Sequence, residues 1–356
     1  MARRPNFELA ERLRDEIRAG AFDECALLPG ERTLAERYGV GRGALRTALR
    51  RLQTEGVLAA VPRRGVRVAA RGSTPRFRRL VLRCGNTPSG DSYEFIALLS
   101  GICRAAAERY AEVILSVAPA PFEAERLIEG FQAGEIQGVI MAEQLQGEAP
   151  HRLTAAGVPL VVANCEADCT AVVSRMDFRA VGRLAGRRIV VTGCREVGVL
   201  AGNLGSFIFR EMLAGFRGAL AEEEIALPKK WICEVPANLG DAAAAAELKR
   251  ILAAGKHPRV WFAMRDIRAS HLYTAAAELG LRIPEDIGII GYDNVSWPEA
   301  KVRGLTTISQ PVAAIGAGAV RLLAEWFAAG KAPADLVFDG ELIERRSLPE
   351  LPVSAQ

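Results

Sequence analysis

Apolar positions in the first part of the chain fall at helical spacing. Leu9, Leu13 and Ile17 recur every four residues and give one apolar face to a helix over about 7–19, which Gly20 ends. Leu27-Leu28-Pro29-Gly30 reads as a turn. A second helix follows over Glu31–Tyr38, with Leu34 and Ala35 inward and Gly39 as its left-handed cap. Val40-Gly41 turns the chain into a third helix, about Arg42–Glu55, with Leu45, Leu49 and Leu52 on one face and Gly56 at its end. Val57–Val61 and Val66–Val68 read as paired strands about a Pro62-Arg63-Arg64-Gly65 turn.

Beyond Arg71–Arg76, a polar stretch broken by Gly and Pro, short apolar runs alternate with helical patterns. Strands are expected at 80–82, 113–117, 138–141 and 159–163, with helices at about 93–109, 122–133 and 149–156. The theme returns with strands at 197–200, 231–235, 259–263 and 287–292, and helices at about 206–222, 241–254 and 267–279. Such alternation implies parallel sheets covered by helices on both faces. Two runs of it predict two α/β lobes with a cleft. Ligands in open α/β sheets bind beyond the carboxyl ends of the strands, where Asp266 and Asp293 fall.

Length and charge sharpen this division. A chain of 356 residues is about right for two domains. Residues 1–79 hold 18 arginines, no lysine and nine acidic residues, a net +9, whereas the whole chain is +4 and the remainder −5. A basic head on a mildly acidic body points to a polyanionic partner for the head. The seven cysteines are scattered, with no CxxC pair, and the three histidines lie far apart, so neither a zinc site nor a disulfide framework is expected. No apolar run reaches roughly 18 residues and the N-terminus has no signal-type apolar stretch, which makes the cytoplasm the expected compartment. Gly39–Ala44 fits a loose GxGxxA pattern but follows a helix, not a strand, and Gly193–Gly198 lacks the Lys-Ser/Thr of a phosphate loop; no cofactor motif remains.

In the head, Arg42, Arg46 and Arg50 form one stripe on the outer face of the third helix. Arginine forks suit guanine edges and phosphates. The segment Leu28–Ala69, with its LPGERTLAERYGVGR start, its RTALRRLQTEG third helix and its RRG hairpin, resembles the GntR-family DNA-binding domain. The resemblance implies a winged helix-turn-helix in which Arg32, Arg42 and Arg46 are the main DNA contacts and Arg63, Arg64 and Gly65 form the wing tip. Gly43 occupies a further contact position where the family usually has a hydroxyl, and Gly30 and Gly41 replace its usual serines. The preferred operator is therefore expected to differ from the common family site.

In the body, Glu278–Asn294 (ELGLRIPEDIGIIGYDN), Leu305–Pro311 (LTTISQP) and Glu341–Ser347 (ELIERRS) resemble the LacI/GalR ligand-binding domain. That resemblance implies the two-lobed periplasmic-binding-protein type I fold, three crossovers between lobes, and a homodimer. It places Phe95, Asp177 and Asp293 at the effector, with Gln310 near the lobe hinge. Two departures matter more: Arg265 stands where an Asn is usual, and Met212 where an Arg is usual. Moving the guanidinium redraws the charge of the pocket. The expected effector is a sugar or, facing Arg265, an anionic sugar derivative.

The sequence thus predicts an N-terminal winged helix-turn-helix over 1–71, a linker over 72–78 and a LacI-type effector and dimerisation domain over 79–356. The function implied is a non-enzymatic, ligand-controlled repressor binding a pseudo-palindromic operator as a dimer. Two other readings stay open: a ligand-independent DNA-binding protein with a decayed pocket, and an enzyme built on the α/β body.

Overall fold

The computed structural model describes residues 5–23, 26–54, 56–61, 65–69, 77–84, 93–116, 120–142, 148–165, 171–235, 241–295 and 304–350. Arg63 and Arg64, expected at the wing tip, lie outside them.

The head packs α1 (Pro5–Arg18), α2 (Glu31–Tyr38) and α3 (Arg42–Thr54) against the antiparallel pair β1 (Leu58–Val61) and β2 (Gly65–Val68). The expected leucines make the core: Leu13, Leu34, Leu45 and Leu52 are fully buried together. Gly39 ends α2 at φ 65°, a left-handed conformation that glycine adopts without penalty, and its N–H faces the last carbonyls of α2. The expected turn at 27–30 does more than turn. Leu28 N–H donates to Val66 O at 2.8 Å and Val68 N–H to Ala26 O at 2.9 Å, which adds a short third edge to the hairpin.

The body divides into two compact units. One holds the head, the chain to Ser174 and Val312–Leu336; the other holds Arg175–Pro311 and the chain from Val337. The polypeptide therefore passes between units three times, as the family resemblance implies. In the first unit, β3 (Arg79–Arg83), α4 (Tyr93–Ala107), β4 (Glu112–Ser116), α5 (Ala120–Gln132), β5 (Val139–Met141), α6 (Ala149–Ala155), β6 (Leu160–Ala163) and β7 (Val172–Met176) form a parallel sheet of order β4-β3-β5-β6-β7, completed by β13 (Leu336–Phe338). The second unit repeats the order. It contains α7 (Phe178–Val190), β8 (Val197–Ala201), α8 (Phe207–Glu222), a 3-10 turn at Lys229–Trp231, β9 (Ile232–Glu234), α9 (Asp241–Ala253), β10 (Val260–Ala263), α10 (Asp266–Glu278), β11 (Gly288–Asp293) and β12 (Thr306–Ser309). Its sheet runs β9-β8-β10-β11-β12, with β14 (Glu341–Ile343) antiparallel at the edge. Strands β5, β6, β8 and β10 are buried at every residue, as parallel strands covered on both faces must be. In each sheet the winding direction reverses beside the first strand, between β3 and β5 and between β8 and β10, which are the positions where open α/β sheets receive ligands.

Two helices escape the sequence pattern, α7 and α11 (Val312–Ala329). Each packs on a partner at a glycine seam. In the second unit, a Cβ on Gly182 of α7 would stand 1.9 Å from Met212 O, and one on Gly215 of α8 1.9 Å from Arg179 O. In the first, a Cβ on Gly101 of α4 would stand 1.9 Å from Ala313 O, and one on Gly316 of α11 2.4 Å from Leu98 O. Helix α11 is long and apolar enough to cross a membrane by length and composition; here it packs on α4 and on the sheet strand β6. Phe77, at the end of the expected linker, is buried with its ring 6.0 Å from that of Phe327.

Candidate nucleic-acid interface and ligand site

The outward face of the head carries the expected arginines. Arg42 opens α3 and is exposed, and Arg46 follows one turn later. Arg46 Nε donates to Glu31 Oε2 at 2.7 Å, but both side chains remain open to solvent, so the pair holds the guanidinium loosely. Arg32, on the first turn of α2, has a side chain 78% exposed and only a 3.9 Å approach to Glu36. Gly43 lies beside Arg42 on the same surface, where an added Cβ would meet nothing within 4 Å. Gly65 takes φ 104° as β2 begins, so the hairpin needs glycine for its backbone and not for space. Arg50 does not simply extend the stripe: it lines a cavity shared with the body. Arg51 is turned inward, 5.7 Å over the Phe131 ring of α5.

In the second unit, Arg265 caps α10 just past β10 and Asp293 ends β11. Arg265 Nε donates to Asp293 Oδ2 at 2.6 Å. Gln310 Nε2 donates to Asp293 Oδ1 at 2.9 Å, and Tyr292 Oη donates to Gln310 Oε1 at 3.0 Å. The Asp293 side chain is only 2% exposed, and its φ of 119° is strained for a non-glycine residue. Arg268, one turn into α10, lies beside the pair. It is buried, with its guanidinium 5.0 Å over the Phe209 ring, one nitrogen donating to Val235 O at 3.1 Å, and a buried Nε that makes no hydrogen bond. Burial, and then the neighbouring Arg265, lowers its pKa to about 10, against the pull of Asp293. Gly202 is required here, since a Cβ would stand 2.4 Å from Phe209 and 2.7 Å from Arg268.

The other expected residues have plainer surroundings. Asp177 caps α7: Ala180 N–H donates to Asp177 Oδ1 at 2.7 Å, and Arg183 approaches Oδ2 at 3.8 Å. Asp266, which the sequence places with Asp293 at the strand ends, faces inward. It accepts from Thr307 Oγ1 at 2.7 Å and from Val295 N–H at 3.0 Å, and burial raises its pKa to about 6. Met212 is fully buried at the α7–α8 seam. In the first unit, Phe95 is half-buried on the first turn of α4. Arg83 ends β3 at the winding reversal, 2% exposed, and donates to the Cys84 carbonyl. Sequence reasoning missed Arg83 and Arg268. A charged residue closing the apolar run Leu80-Val81-Leu82 was the available signal for Arg83; nothing in the helix around Arg268 marks it.

Fold and site together define a winged helix-turn-helix joined to a doubly wound, two-unit α/β body. Residues 6–68 match the family of bacterial regulatory proteins of the gntR type, and residues 187–348 match the periplasmic binding protein-like domain. The chain therefore carries a head of the gntR type and a body that includes a periplasmic binding protein-like domain. It is 35% identical over 199 residues to the HTH-type transcriptional repressor PurR of Shigella dysenteriae, an alignment covering 55% of this chain and 58% of that repressor. Similar folds include the transcriptional regulator CelR in complex with cellobiose (TM-score 0.65, 21% identity, 90% of this chain and 100% of that one). A LacI family transcriptional regulator from Enterococcus faecium with bound ribose is also similar (TM-score 0.62, 23% identity, 77% of this chain and 100% of that one).

Proposed function

We propose that this protein is a DNA-binding transcriptional repressor whose operator affinity is set by a small anionic effector, a sugar acid among the best-fitting classes. The observation that carries the reading is the pairing of an exposed Arg32/Arg42/Arg46 face with a separate strand-end site where Arg265 and Arg268 meet Asp293. Arg265 and Arg268 bring two guanidiniums to Asp293, with the Asp266 carboxyl also within the field of Arg265. A ligand carboxylate can take the Arg265 fork, while Asp293 and Gln310 accept and donate to hydroxyls. The two-fold symmetry common to such regulators implies a homodimer on a pseudo-palindromic operator. The relatives that this chain resembles are named as transcription regulators, which favours a non-enzymatic, cytoplasmic role.

The effector arm is tested by thermal shift with neutral sugars beside their uronic and aldonic acids, since a bound ligand must raise the unfolding temperature. Stabilisation by acids alone, lost in Arg265→Ala, is the expected result. Stabilisation by a neutral monosaccharide that survives Arg265→Ala would overturn the anionic class. The DNA arm is tested by selecting genomic fragments on the purified protein. An inverted repeat should be enriched, and Arg46→Ala should lose that enrichment while Arg64→Ala weakens all fragments alike.

A further inference from the structure

We propose that the seam between the head and the rest of the first unit is a second ligand site, built for a small phosphate-bearing molecule and separate from the strand-end site. A cavity of about 1040 Å³ lies there, at the upper limit of the size range of small-molecule sites. Its walls come from α3, from the amino ends of β3 and β4, and from the turns that close α4 and α5. Four guanidiniums line it, those of Arg50, Arg78, Arg79 and Arg109, against the two carboxylates of Glu112 and Glu135. This is the amino end of the sheet, opposite to Arg83.

The walls are held in place without a ligand. Gln137, 3% exposed, accepts the backbone N–H groups of Arg78 and Arg79 at 3.0 and 2.7 Å, fixing the strand start. Arg79 is tied to Glu112 at 2.7 Å, and Arg109 donates to Ala105 O at 2.9 Å. Beside the cavity Arg51, whose side chain is 12% exposed, stacks on Phe131 and joins α3 to α5. Like charges gathered around one space repel unless an anion joins them. Guanidinium forks arriving from separate elements suit a group offering several oxygens in different directions, which phosphate does and a single carboxylate does not. Phe77 and Tyr110 complete the lining, and Tyr110 is almost wholly exposed, so an organic portion has aromatic surface to lie on. A ligand held by Arg50 of the head and by Arg78 and Arg109 of the body would brace α3 against the unit beneath it. The site is thus a second input to the head.

The test is calorimetric titration of the full-length, DNA-free protein with inorganic tripolyphosphate at physiological salt. One saturable site is expected. The Arg78→Ala/Arg109→Ala double variant should weaken it by roughly tenfold or more, the usual scale for losing charge-assisted hydrogen bonds. Arg32→Ala, on the outer face of the head, should leave it within about twofold. Glu112→Gln should tighten it by removing a like charge, a gain that misfolding cannot mimic. Absence of saturable binding overturns the proposal. So does an equal loss in Arg32→Ala, which would place the anion on the DNA-binding face, or weaker binding in Glu112→Gln.

Discussion

Asp266 is a carboxyl group forced to sit where water cannot reach it, and that fixes how the protein responds to acid. Its folded-state pKa of about 6 lies above the ordinary aspartate value, so the folded form holds the proton more tightly than the unfolded chain. Its contribution to stability is therefore fully present at low pH and is lost as pH rises through the window from about 4 to 6. Urea unfolding of the wild type beside Asp266→Asn checks this. The wild type should gain on the variant at about pH 4.5 relative to pH 7. A pH-independent difference would mean that folding does not raise the pKa of this carboxyl. The sequence placed Asp266 and Asp293 alike at strand ends. Their fates differ because Thr307 and Val295 supply donors to one, while Arg265 and Gln310 supply them to the other. Those partners are 17 to 41 positions away, beyond any local pattern. Arg265, a departure at a known position, was legible; Arg268, buried by packing alone, was not.

At the scale of elements, the glycine seams are the strongest constraint on the body. Gly182 and Gly218 sit in helices that pack on each other, yet they predict opposite results. A methyl group at Gly182 meets the Met212 carbonyl at 1.9 Å, so Gly182→Ala must push α7 and α8 apart and should cost at least the ~1–3 kcal/mol typical of overpacking. A methyl group at Gly218 meets nothing, so Gly218→Ala should stabilise by about 1 kcal/mol through helix propensity. Denaturant midpoints of the two variants decide it, and a shift of the same sign in both would refute the seam. Seams of this kind also explain which helices the sequence concealed. The run Val312–Ala329 has small residues on several faces because α4, β5 and β6 all approach it, so its polar side shrinks to the Arg321–Glu325 pair and marks no period. The head, by contrast, is a three-helix unit with one buried face per helix. Its helix boundaries were legible to within two residues.

At the scale of the whole molecule, charge is divided between parts with different tasks. The head's +9 against a body of −5 predicts DNA binding that weakens steeply with salt. The logarithm of affinity should fall linearly with that of salt concentration, and Arg64→Ala should reduce the slope by about one while leaving sequence preference intact. A slope unchanged in Arg64→Ala would count against a phosphate contact for that side chain. By linkage, whatever an effector does to operator affinity, the operator must do in equal measure to effector affinity. Titrating effector in the presence and absence of operator measures that coupling from both sides.

The threefold passage of the chain between units also sets an order of events during synthesis. The first unit cannot bury the glycine face of α4 until α11 exists, and α11 begins only at Val312, after nearly all of the second unit. At bacterial elongation rates the gap lasts on the order of ten seconds. For that time the nascent chain leaves Gly101 and its apolar neighbours uncovered by α11, while the head, contiguous in sequence, is free to fold. A newborn molecule would thus own a finished head before it owned a finished body.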